Sequence, residues 1–228
     1  MAMRQIQVAD DTLVIHELED VCDPATGRAL TGSWIWASAL VLSNWMTNQS
    51  RTNFSFLGKT VLELGAGAGL PGLTAARLGA SQVVLTDIKP LLPGLLKNVE
   101  ANGLGEQVKV RELMWGSDES LSEVGEFDLV LMSDVFYNAE EMVGLAKTLK
   151  CVCNRKTTVL AATEVRPSTA ECLSEFVREG FMLVELPSEF ASSEGMDTES
   201  LDSFAIFQVI PPHEESQMDS PCNRDHRT

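Results

Sequence analysis

The sequence predicts an α/β protein with a mostly parallel sheet and helices on both faces. Three observations lead there. From Lys59 onward, short β-prone runs alternate with helical stretches, as in strands joined by crossover helices. In the first such unit an apolar strand, Thr60–Leu64, runs into a glycine-rich turn (Gly65, Gly67, Gly69) and then a helical run, Leu73–Leu78. The last two strands, Phe181–Glu185 and Phe204–Val209, have no helix between them, so they are expected to pair antiparallel.

Taken in order, Gln5–Val8 and Thr12–His16 flank Ala9-Asp10-Asp11 and read as a small hairpin. Asp20–Leu30 is a polar loop. Trp34–Met46 has Trp34, Ala37, Val41 and Trp45 on one apolar face, the spacing of a helix, and Thr47–Phe54 reads as a polar linker. The sheet strands are Thr60–Leu64, Gln82–Thr86, Val108–Glu112, Phe127–Ser133, Thr157–Thr163, Phe181–Glu185 and Phe204–Val209. The helices are Leu73–Leu78, Leu91–Asn102, Ala139–Leu149 and Thr169–Glu179. Ser188–Asp202 is a long acidic loop, and Pro211–Thr228 has no periodicity and is expected to be disordered. The organisation that follows is an N-terminal extension (1–58) packed on a core domain (59–210), with a disordered tail (211–228).

A chain of 228 residues is long enough for one substantial core. Seventeen basic against 33 acidic residues give a formal net charge of −16, which would repel phosphates and argues against a nucleic-acid partner. The same charge suits a basic, lysine-bearing surface, or serves solubility alone. Five cysteines (Cys22, Cys151, Cys153, Cys172, Cys222) are odd in number and irregularly spaced. With no second pair and no histidine cluster, no metal is expected, and the compartment is expected to be reducing. The longest apolar run, around Trp34–Leu42, is too short for a bilayer, and no secretory leader pattern opens the chain. A cytoplasmic protein follows, with the nucleus also open; a monomer is expected.

Ligands of open α/β sheets sit beyond the carboxyl ends of the strands. The candidate residues are therefore at strand ends. The glycine turn reads G-x-G-x-G rather than the G-x-G-x-x-G of dinucleotide sites, and Pro71 falls where the first helical turn begins. Glu63, two residues before Gly65, would repel a pyrophosphate but suits a cationic amino-acid group; its alternative role is a strand-end cap or ion pair. The Glu63–Gly69 run resembles the first motif of S-adenosylmethionine-dependent methyltransferases. Asp87 ends the second strand, where an acid can accept from ribose hydroxyls. Trp115 follows the third strand and can stack on adenine or simply fill the core. Ser133 and Asp134-Val-Phe136-Tyr137 close the fourth strand. They set a carboxylate and two aromatic rings beside the expected methyl group, unless Phe136 and Tyr137 only pack the following helix.

Asp134–Tyr137 is similar to the D-x-x-Y motif of the seven-β-strand, class I, protein-lysine methyltransferases, the methyltransferase-like 21 group and its relatives. Thr31-Gly32 with Trp36, Glu63–Gly72, Asp87 and Leu113–Gly116 resemble further segments of that family, and Glu164–Arg166 is a loose match. The resemblance spans about residues 5–210. It implies a Rossmann-like seven-stranded sheet with the last strand antiparallel. It also implies S-adenosylmethionine as cofactor, with Trp36 over its methionine part and Trp115 on adenine. The implied reaction is methyl transfer to a lysine side chain of a protein, with Asp134 accepting from the amine and Tyr137 and Phe136 offering cation–π faces. A same-fold methyltransferase for a small molecule or another side chain, and a non-catalytic binding module, are the competing readings.

Overall fold

β3 (Thr60–Leu64) is apolar at Val61, Leu62 and Leu64 and is buried almost throughout, as a central parallel strand is. In the computed structural model, which describes residues 2–18, 21–23, 26–52, 54–121, 125–187 and 203–212, it lies in the middle of a seven-stranded sheet. The other strands are β4 (Gln82–Asp87), β5 (Val108–Glu112), β6 (Leu129–Ser133), β7 (Thr158–Glu164), β8 (Met182–Leu186) and β9 (Phe204–Ile210). Their order is β5-β4-β3-β6-β7-β9-β8. β3 to β7 run parallel, and β9 is antiparallel to both neighbours. The antiparallel pairing expected of the last two strands is therefore present. The chain steps outward from β3 to β5 and then returns to β6 beside β3. That reversal opens a crevice beyond Leu64 and Ser133.

Alternation along β3 and β6 divides the core. Val61, Leu129 and Leu131 join the layer under α1 (Ala37–Ser50), α2 (Leu70–Arg77) and α3 (Leu92–Ala101). Leu62, Leu64, Val130 and Met132 join the layer under α5 (Met142–Val152) and α6 (Pro167–Arg178). A short α4 (Asp118–Leu121) lies between β5 and β6 and has no counterpart in the sequence reading.

The N-terminal strands, β1 (Ala2–Val8) and β2 (Asp11–Glu17), form the expected hairpin, longer than its β-prone runs suggested. Asn98 on α3 and Asn102 at its C-cap hold the inner edge of the hairpin. Asn102 exchanges hydrogen bonds with the Val14 backbone (2.8 and 2.7 Å), and Asn98 does so with His16 (2.8 and 3.2 Å). Their side-chain amides take the place of a neighbouring strand. Leu13 and Ile15 are buried in the same layer as α1 to α3.

Several helix boundaries moved. α1 begins at Ala37 because Trp36 is its extended N-cap (φ −82°, ψ 149°), and it continues to Ser50 through the expected linker. Thr47 and Ser50 hydroxyls donate to the Ser43 and Thr47 carbonyls, so polar residues are satisfied there without leaving the helix. α2 starts at Leu70, with Pro71 in its first turn, where a missing N–H costs nothing. Among the described residues no helix is long and apolar enough to cross a membrane. The acidic loop at 188–202, and the tail beyond residue 212, lie outside the described residues.

Candidate functional site

A cleft of about 600 Å³ opens at the carboxyl ends of β3 to β7. It brings together nine of the sequence-predicted residues: Trp36, Gly65, Gly67, Gly69, Asp87, Trp115, Ser133, Asp134 and Tyr137. Glu63 and Phe136 are not on its wall.

The floor is the loop from β3 to α2. Gly65, Gly67 and Gly69 all have left-handed backbones (φ 62°, 56° and 82°). Space demands glycine as well. A Cβ on Gly65 would stand 2.9 Å from the Trp115 ring, and one on Gly67 would collide with the Gly32 carbonyl oxygen. The loop is tied to the tip of β4, where Asp87 accepts from the Gly67 amide (2.7 Å) through Oδ2 and from the Ile88 amide (2.8 Å) through Oδ1. Burial raises the Asp87 pKa, and these two amide bonds oppose the rise. Each oxygen keeps acceptor capacity toward the cleft.

Glu63 is corrected from cofactor contact to internal support. Alternation in β3 turns it with Val61 toward α2, where it is fully buried. Oε2 accepts from the Gly72 amide at 2.9 Å, and Oε1 has no partner among the described residues. Burial, with the charge of Asp87 adding to it, pushes the Glu63 pKa up to about 8 against the pull of the Gly72 bond. The group that was expected to meet a cation thus lies under the loop, with its pKa raised out of the usual carboxylate range.

Trp115 stands on one wall, fixed from behind. The Gly116 amide donates to Thr148 Oγ1 (2.9 Å), which donates in turn to the Gly144 carbonyl (3.0 Å). A Cβ on Gly116 (φ 77°) would lie 2.9 Å from Gly144 Cα, so two glycines let this turn sit directly on α5. Trp36, also on the cleft wall, donates from Nε1 to the Thr31 carbonyl (3.1 Å), and its ring lies 6.5 Å from that of Trp34.

Asp134 has a left-handed backbone (φ 56°), unusual for a residue with a side chain, at the tip of β6. Tyr137 projects from the next turn and is 54% exposed. Burial of its hydroxyl and the charges of Glu141 and Asp87 raise its pKa, so it is a neutral phenol at physiological pH. Phe136 is corrected from catalytic to core. It is 1% exposed and meets Phe176 edge-on at 5.4 Å.

Two residues beyond the catalytic and cofactor-contact candidates meet Asp134. Arg166 grips its carboxylate with both terminal nitrogens (3.1 and 3.0 Å), and the Ser38 hydroxyl donates to Oδ1 (3.3 Å). Arg166 lines the cleft. The end of the fifth sheet strand pointed to Glu164–Arg166; no sequence signal pointed to Ser38.

A glycine-floored cleft at the reversal point of a doubly wound sheet, with an acid at the adjoining strand tip, defines an α/β nucleotide-cofactor protein. A model of the lysine methyltransferase family matches residues 23–179. The chain belongs to that family. Mouse protein N-lysine methyltransferase METTL21A is 38% identical over 135 residues, 58% of this chain and 60% of that one. Mouse EEF1A lysine methyltransferase 3 is 34% identical over 152 residues, 66% of this chain and 63% of that one. The matches thus span less than two thirds of these two relatives. Among solved structures, ribosomal protein L11 methylase from Lactobacillus delbrueckii subsp. bulgaricus shares the fold. Its TM-score is 0.53 at 18% identity, over 76% of this chain and 80% of that one.

Proposed function

We propose that this protein is an S-adenosylmethionine-dependent methyltransferase that acts on a lysine side chain of a protein substrate. The observation that carries the reading is the joint placement of two sets of groups in one cleft. The glycine loop, Asp87 and Trp115 line the same cleft as Asp134 and Tyr137. Membership of the lysine methyltransferase family supports the choice of acceptor.

The residues present fit the cofactor. The cleft has the volume of a small-molecule site. Asp87 can accept from ribose hydroxyls, the exposed faces of Trp115 and Trp36 can cover the adenine and methionine parts, and Gly65 leaves room that a Cβ would take. When bound, S-adenosylmethionine supplies the electrophilic methyl carbon and leaves as the thioether.

The chain has then to prepare the amine. A free lysine has a pKa of about 10.4, so only about one in a few thousand carries a lone pair at neutral pH. Entry into a cleft walled by Trp36 and Tyr137 strips water and lowers that pKa. Asp134 accepts a hydrogen bond from the amine and turns its lone pair toward the methyl carbon. The proton displaced as the N–C bond forms goes to solvent. Tyr137 presents an aromatic face to the cationic centre.

On the same reading the protein works as a monomer in the cytoplasm or nucleus. The free thiols of Cys22, Cys153 and Cys172 support a reducing compartment. The test is calorimetric titration with S-adenosylmethionine, with NAD as control, followed by tritium-labelled methyl transfer into a lysate and mass spectrometry of the labelled band. Saturable binding of S-adenosylmethionine alone and a methylated lysine are expected. No binding, or label on a small molecule only, overturns the reading.

A further inference from the structure

The carboxylate of Asp134 is almost fully committed before any substrate arrives. Its side chain is 7% exposed. Arg166 Nη1 and the Ser38 hydroxyl both donate to Oδ1, and Arg166 Nη2 donates to Oδ2. A carboxylate offers about four acceptor positions, two on each oxygen. Both positions of Oδ1 are taken and one of Oδ2, so a single acceptor position is left, on Oδ2.

Arg166 is itself fixed on three sides. Nε and Nη2 donate to Glu164 Oε2 (3.1 and 2.6 Å). The guanidinium carbon lies 5.4 Å from the centre of the Trp36 ring. The Arg166 amide donates to Thr169 Oγ1, which donates to the Glu164 carbonyl (both 3.0 Å). One side chain therefore links the tips of β6 and β7 to the start of α1. Among the described residues it is the one basic residue on the cleft wall, and its charge is offset by two carboxylates.

We propose that Arg166 is the positioning residue for the methyl acceptor. It fixes the Asp134 carboxylate so that one Oδ2 lone pair meets the lysine amine. A single fixed acceptor gives the amine one orientation, and in-line displacement is chiefly a demand on orientation. The planar fork is required for this. A lysine at 166 would keep the charge but could not hold both oxygens in one plane.

The inference rests on the methyl-transfer reading, and the experiment separates the two. Wild-type full-length chain, tritiated S-adenosylmethionine and a lysate identify the labelled protein, which is purified as acceptor. No labelled protein ends the methyl-transfer reading, and this proposal with it. Given a labelled acceptor, Arg166→Lys and Arg166→Gln are both expected to lower kcat by about tenfold or more. The Kd for S-adenosylmethionine should stay within about threefold, since Asp134 is on the acceptor side. Wild-type kcat in either variant overturns the proposal. So does a Kd that weakens in step with kcat, because Arg166 would then serve the cofactor. If neither variant folds, Glu164→Gln takes their place: it loosens the guanidinium without emptying the pair, and unchanged kcat there overturns the proposal equally.

Discussion

The Glu63 carboxylate accepts from the Gly72 amide at 2.9 Å, inside the core and with its second oxygen unpartnered among the described residues. Its pKa is about 8 in the folded chain against 4.5 for an ordinary glutamate. The folded state therefore holds a proton that the unfolded state releases between those values. Stability from this group is complete below pH 4.5 and is lost as pH rises toward 8. Glu63→Gln keeps an acceptor for Gly72 and removes the titration, at the cost of one amide still seeking a partner. It is expected to exceed the wild type in stability at pH 9 by roughly 1–3 kcal/mol, with the gap closing toward pH 6. Thermal melts from pH 5 to 9 check this; parallel profiles for the two proteins would show that Glu63 does not titrate in that range.

Gly67 carries the close approach between the glycine loop and the N-terminal extension. Its backbone is left-handed, and a Cβ there would strike the Gly32 carbonyl oxygen, which is backbone and cannot swing aside. Gly67→Ala is expected to cost about 1–2 kcal/mol in backbone strain alone. It should also weaken S-adenosylmethionine binding by about tenfold or more as the loop shifts, because about 1.4 kcal/mol is a factor of ten. Calorimetry on the folded variant decides it. Unaltered affinity would mean that the loop absorbs the methyl group without moving the cleft.

Asn98 joins three parts of the chain at one amide. Its Nδ2 donates to the His16 carbonyl (3.2 Å) and the Ala68 carbonyl (2.9 Å), and its Oδ1 accepts from the His16 amide (2.8 Å). Ala68 belongs to the glycine loop. Asn98→Ala strands buried backbone groups on both the hairpin and the loop, at about 2–4 kcal/mol. Urea unfolding should show that loss, and calorimetry should show weaker cofactor binding as well. A stability loss with unchanged affinity would confine Asn98 to anchoring the hairpin.

The strands were legible because buried parallel strands are continuous apolar runs between polar residues, as in Leu129–Met132 between Asp128 and Ser133. That same continuity hides which face a side chain takes. β3 is buried on both faces, so nothing in its composition said that Glu63 points to α2 rather than to the cleft. Helix α4 has no apolar stripe to betray it, and the polar end of α1 reads as linker until Thr47 and Ser50 are seen bonding along the helix. Most cleft residues sit at strand ends, which the fold class places together. Ser38 enters through a contact across 96 positions, which no local pattern contains.

Phe136 and Tyr137 are adjacent in sequence and opposite in place, one buried and one exposed, so substitutions at the two positions separate folding from chemistry. Phe136 packs on Phe176, whose ring is also 5.0 Å from that of Phe181. Phe136→Ala leaves a hole in a closed aromatic cluster and is expected to destabilise by about 3–5 kcal/mol. Phe136→Leu refills most of the volume and should restore stability to within about 1.5 kcal/mol together with activity, because no ring face is needed there. Tyr137→Phe removes only a hydroxyl from a half-exposed ring and should leave the melting temperature within a few degrees, since a change of about 1 kcal/mol shifts it by only that much. Tyr137→Ala removes the face proposed to meet the amine, and the loss of an exposed-to-desolvated cation–π contact predicts a fall in kcat/KM of about three- to thirtyfold. Melts and methyl-transfer rates on all four variants give the check. Loss of rate in a stable Phe136→Leu protein would return Phe136 to the chemistry, and wild-type rate in Tyr137→Ala would remove Tyr137 from it.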